Sequence, residues 1–152
     1  MFVAAAARMS HGFAHVAVSD LVDEVILLRV GGILTPESAG EIRRWGMDLA
    51  QRAGALGQVW ACRSAVVAIG PDAMATAARR LAQSVGAGPA PAALLVAPAH
   101  FELFRGYCWQ AAQHGVNTAP FTDFSTALDW AQRQVLVHRA WPAMSLPPAC
   151  FG

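Results

Sequence analysis

The chain has 152 residues, of which 55% are hydrophobic and 14% charged, and its formal net charge is +1. This length suits a single domain, and the apolar content supplies a core that a disordered chain would lack. All eleven basic residues are scattered arginines. Nucleic-acid binding is therefore left without an electrostatic footprint, and Schiff-base or P-loop lysine chemistry is excluded.

In chain order, residues 1–12 read as an N-terminal extension, with Met1 or Met9 as the start. Met1-Phe2-Val3 and the four alanines after it lack the basic flank and apolar length of a signal peptide. His15-Val16-Ala17-Val18 alternates like a short strand, and Asp20 to Glu24 reads as a polar turn. Val25 to Val30 (VILLRV) is the first strong strand, broken only by Arg29 and ended by Gly31-Gly32. Thr35-Pro36-Glu37 starts a helix: threonine caps, proline suits the first position and glutamate the positive end of the dipole. Its stripe is Ile42, Trp45, Leu49 and Ala53, with Glu41, Arg43, Arg44 and Asp48 on the wet side and an end near Gly54.

Gln58 to Cys62 (QVWAC) is a second buried strand. Gly70-Pro71-Asp72 opens a helix with Met74, Ala77, Ala78, Leu81 and Val85 inward, and a Gly/Pro linker spans 86–91. Ala92 to Ala97 (AALLVA) is the third buried strand. A helix from about Ala99 to His114 follows, with Phe101, Phe104, Cys108 and Ala111 on one face and Gly115 as its stop. Val116 to Phe121 forms a last strand, placed at an edge by Pro120. Asp123 then caps a final helix with the stripe Phe124, Ala127, Leu128, Ala131 and Val135. Residues 139–152 carry Pro142, Pro147 and Pro148 and read as a C-terminal tail, leaving 13–138 as the domain.

The expectation is an α/β fold of order β-β-α-β-α-β-α-β-α: one mostly parallel sheet of four to five strands covered by about four helices. Continuously apolar strands such as AALLVA agree, because crossover helices bury both faces of a parallel sheet.

No GxGxxG, GxSxG, HExxH or Walker motif occurs. Asp72 and Asp123 are explained as caps, and Asp48 and Asp129 as solvated helix positions, so no acid–base pair stands out. Cys62, Cys108 and Cys150 are widely spaced and odd in number, which argues against a disulfide framework or zinc knuckle and for a reducing cytoplasm. His11 and His15 form HxxxH in a strand-like stretch, a poor metal site, and His114 fits a helix C-terminus. The candidate ligand or partner residues are few. Arg63 and Ser64 follow one strand and His100 another, at the sheet's carboxyl end where open α/β folds bind ligands. Tyr107 and Trp109 point different ways from one helix, so part of that aromatic surface stays outside the core.

The segments VILLRVGGILTPES, AALLVAP with HFELFRGYCWQAAQHGV, and APFTDFSTALDWAQ resemble the STAS domain of bacterial anti-sigma-factor antagonists, especially its small uncharacterised members. The resemblance covers roughly residues 13–136. It implies the fold and a taste for protein partners. It also implies a phosphorylatable serine in an Asp-Ser-Ser-Gly type motif at the start of the helix after the third strand. Here that stretch is Ala68-Ile69-Gly70-Pro71-Asp72-Ala73-Met74, without a hydroxyl; Ser64 lies upstream and Thr76 inside the helix.

The leading expectation is a cytoplasmic, non-catalytic interaction or regulatory module that binds a protein partner or itself, with no cofactor, metal or membrane span. The alternative is a binder of a hydrophobic small molecule or lipid in the sheet–helix groove, motivated by alanine-rich helices. An enzyme of unknown class ranks third.

Overall fold

The computed structural model describes residues 8–85 and 90–140. The strands are β1 (Arg8–His11), β2 (Ala14–Val22), β3 (Val25–Gly31), β4 (Ile33–Leu34), β5 (Gly57–Ala61), β6 (Val66–Val67), β7 (Ala92–Leu95) and β8 (Thr118–Phe121). The helices are α1 (Pro36–Arg52), α2 (Pro71–Val85), α3 (Phe101–Gln113) and α4 (Phe124–Ala140). The predicted alternation of elements is present, with additions. The main sheet has six strands in the order β1-β2-β3-β5-β7-β8, rather than four to five, and β4 pairs with β6 in a separate two-stranded piece.

Two of the differences lie at the start of the chain. Arg8–His11, within the expected extension, pairs antiparallel with β2 as an edge strand. These residues show no alternation of their own; the tight turn at Gly12, with φ +60°, brings them onto β2. The polar turn is also shorter than expected. Asp20 to Val22 continue β2 past a bulge at Ser19, and only Asp23 and Glu24 turn the chain, both with positive φ as a two-residue hairpin requires.

β3, β5, β7 and β8 are mutually parallel, and each connection steps in the same direction across the sheet. Right-handed crossovers that advance one way place all their helices on one face. The buried clusters follow this rule. Ile26, Leu28, Val30, Trp60 and Leu94 pack with Ile42, Met74 and Phe104 from α1, α2 and α3. Val25, Leu27, Val59 and Ala93 face the other way, against Ala127, Ala131 and Val135 of α4. The last helix thus covers the face that the crossovers leave bare. It does not reach all of it. Arg29 falls on that same face beyond its cover and is exposed, which is why one charge interrupts VILLRV.

Local signals set the helix ends. Thr35 caps α1: its hydroxyl accepts from the Ser38 backbone N–H at 3.2 Å, and Ser38 Oγ accepts from the Thr35 N–H at 2.8 Å. Asp123 caps α4 by accepting from the Thr126 N–H at 2.9 Å. Asp72 is not a cap; it is the second residue of α2 behind Pro71. The α1 stripe is rotated from the expected one, because Gly46 is buried and Trp45 only half-buried. The reason is Trp60, whose indole occupies the place a side chain at 46 would need. In the α4 stripe Phe124 is exposed, while Ala127, Ala131 and Val135 are buried.

Candidate functional site

α2 packs chiefly against α3 and has little contact with the strands. Between α1, α2 and the sheet it leaves a cavity of about 660 Å³. Small residues keep this space open: Ala39 and Gly40 on α1 face Ala73 and Ala77 on α2. A Cβ placed on Gly40 would meet nothing. The floor is apolar, built by Val30, Trp60 and Leu94 of the sheet, and Leu34, Ile42, Met74 and Phe104 close the walls. The volume falls in the range of sites for small organic ligands.

Polar groups enter at defined points. Gln58 is buried on the floor, where its Oε1 accepts from Trp60 Nε1 at 2.9 Å. Arg43 reaches from α1 to α2 and donates from Nη1 to the Ala77 carbonyl at 3.3 Å. The Tyr107 hydroxyl of α3 lies beside the Arg43 guanidinium. Burial pushes the Tyr107 phenol up to about 12, although the Arg43 charge works in the opposite direction. The phenol is therefore a neutral hydroxyl at physiological pH. Glu37, Glu41, Arg44 and Arg80 also line the cavity, with Glu41 paired to Arg44 at 2.9 Å.

The buried thiols contribute no nucleophile. Burial pushes Cys62, which lines the cavity, up to about 12. Cys108 is pushed up to about 11 by burial, slightly offset by the Thr118 hydroxyl. Only a thiolate attacks, and both groups stay protonated near neutrality. Cys150 lies outside the described residues, as does the tail over residues 141–152.

Of the sequence candidates, only Tyr107 lines the cavity. Arg63 and Ser64 sit exposed in the turn between β5 and β6, where Arg63 Nη1 donates to the Thr122 carbonyl at 3.5 Å. Arg63 also faces Asp123, whose carboxyl lies below the usual range mainly because Thr126 donates to it. His100 ends a short 3-10 turn (Pro98–His100) after β7; it is half-buried, and its Nδ1 is buried without a hydrogen bond. Trp109 points outward from α3 and is 62% exposed. These residues do not converge on one site. His11 stacks edge-on with Trp45, whereas the His15 ring lies over Gly31 on the other face of the sheet, so the HxxxH pair is split. Among the described residues no group of three His, Cys, Asp or Glu is placed to hold a metal, and no helix is long and apolar enough to cross a membrane.

Sequence reasoning missed Arg43, which it put on the wet side of α1. Its partner Ala77 lies 34 residues away, and nothing local to α1 announces that contact.

No family model matches this chain, and no curated protein matches it. A solved structure does: an uncharacterised protein of the DUF3478 family from Shewanella loihica with a SpoIIAA-like fold. It is 17% identical, and the match covers 81% of this chain and 98% of that one with a TM-score of 0.51. The chain therefore has a SpoIIAA-like, STAS-type α/β fold, as the sequence resemblance implied. At this identity the likeness concerns the fold alone. The turn into α2 is Ala68-Ile69-Gly70 followed by Pro71, without a hydroxyl.

Proposed function

We propose that this protein binds a hydrophobic small molecule, as a carrier or sensor, in the cavity under α2. The sequence ranks an interaction module first; the observation that reverses the order is an apolar space of about 660 Å³ between helices and sheet. A half-open, largely apolar groove of this size between helices and sheet has the dimensions of a small-molecule site. Trp60 on its floor provides a built-in reporter.

The test uses 1-N-phenylnaphthylamine as fluorescent probe and dodecanol as competitor. Saturable one-to-one binding is expected. Ala73→Leu combined with Ala77→Leu should fill the space and weaken binding at least about tenfold, equivalent to 1.4 kcal/mol, without lowering the urea midpoint. Equal affinity in the filled variant would move the site elsewhere, and no binding by the native chain would end this reading.

A second reading, self-association, is favoured by a separate feature. Phe13 (83% exposed), Val66 (60%) and Ile33 (41%) lie together at one end of the sheet. Ile33 N–H donates to the Phe13 carbonyl at 3.3 Å, and Ile33 pairs with Val66. Contiguous exposed apolar side chains mark interaction surfaces. Under this reading the chain sediments as a concentration-dependent dimer, which Phe13→Ser with Val66→Ser dissociates. A strict monomer at every concentration would remove it.

A further inference from the structure

We propose that the cavity's ligand is a fatty-acid-type monocarboxylate, with Arg43 as counter-ion to its head group and Tyr107 as a second hydrogen-bonding group; this rests on the cavity reading above. Arg43 differs from four arginines of the helices, while Arg79 on the exposed side of α2 donates to the Thr76 hydroxyl. Arg44, Arg52, Arg105 and Arg133 each pair with a carboxylate three or four residues earlier on their own helix, at 2.6–3.0 Å. Arg43 donates to a backbone carbonyl and lies beside a phenol, neither of which carries a compensating charge. A part-buried guanidinium facing an apolar space has lost water without gaining an anion. It has five N–H donors in a planar fork, and a carboxylate fits that fork with two parallel hydrogen bonds.

The rest of the cavity suits the remainder of such a ligand. Leu34, Ile42, Trp60, Met74 and Phe104 offer apolar surface for an acyl chain. A single carboxylate matches the one charge of Arg43; the other charged groups lining the cavity, Glu37, Glu41, Arg44 and Arg80, are of both signs, and Glu41 pairs with Arg44.

The experiment titrates the full chain with laurate, dodecanol and dodecyl phosphate, which share one chain length. Laurate is expected to bind at least about tenfold more tightly than dodecanol, the usual worth of a charge-assisted hydrogen bond, and more tightly than dodecyl phosphate. Arg43→Gln should erase the laurate advantage and leave dodecanol affinity unchanged, which also shows that the cavity is intact. Tyr107→Phe should cost laurate about threefold. Equal affinities for laurate and dodecanol, or an Arg43→Gln variant that weakens both alike, would overturn the head-group assignment while the cavity reading stands. A preference for dodecyl phosphate would overturn the choice of carboxylate. If no ligand binds, the cavity reading fails and this inference with it.

Discussion

Gly32→Ala should be the most damaging small substitution in the domain, lowering unfolding free energy by roughly 3–5 kcal/mol. Gly32 has φ +83°, and a Cβ there would lie 1.8 Å from the Phe13 carbonyl oxygen and 2.8 Å from its carbonyl carbon. Both obstacles are backbone, so no side-chain rotation relieves the clash. The β1–β2 hairpin must move away, and the Ile33 N–H bond to the Phe13 carbonyl goes with it. Gly54→Ala is the matched control. Its φ is +68°, yet nothing lies within 4 Å of the added Cβ. It should cost only the left-handed backbone term, about 1 kcal/mol. Urea unfolding of both variants measures the difference. Similar losses at the two positions would show that the hairpin does not press on Gly32.

Trp60→Ala should cost about 3–5 kcal/mol, the usual range for removing a buried indole. The ring is 7% exposed and lies on Gly46, where an added Cβ would stand 2.2 Å from Cη2. Its Nε1 also satisfies the buried Gln58 Oε1, which the truncation strands in the interior. The reciprocal change, Gly46→Ala, gains about 1 kcal/mol of helix propensity but forces the indole aside. Its net effect should therefore be destabilising despite the better helix former. Guanidinium unfolding followed by circular dichroism reads both variants. A loss below about 1 kcal/mol for Trp60→Ala would mean that the indole is not a core group, since surface substitutions stay near 0.5 kcal/mol.

Both positions show where sequence reading works and where it stops. QVWAC is recognisable as a buried strand, and Gly46 sits in a recognisable helix. That the two meet, so that a glycine rather than Trp45 faces the sheet, is a contact across 14 residues that no helical periodicity contains. The same holds for the candidate site. Alanines on α1 and α2 suggest unfilled space, but only the lean of α2 onto α3 turns that space into a cavity. The residues after β5 and β7 follow strands, the position where open α/β folds bind ligands. Arg63, Ser64 and His100 nonetheless stay apart, because each turn leaves the sheet on its own course.

By itself, the sequence determined the type and order of the elements, the caps at Thr35 and Asp123, the stops at Gly54 and Gly115, and the STAS-type fold. These depend on periodicity, side-chain chemistry and backbone freedom within a few residues. Tertiary structure alone decided which face of VILLRV meets three helices and which meets α4, and that Arg29 escapes both. It also decided that Arg43 turns from the wet side of α1 toward Ala77 and Tyr107. Those outcomes depend on the direction of successive crossovers and on how closely small side chains let helices approach, and neither is written in any single segment.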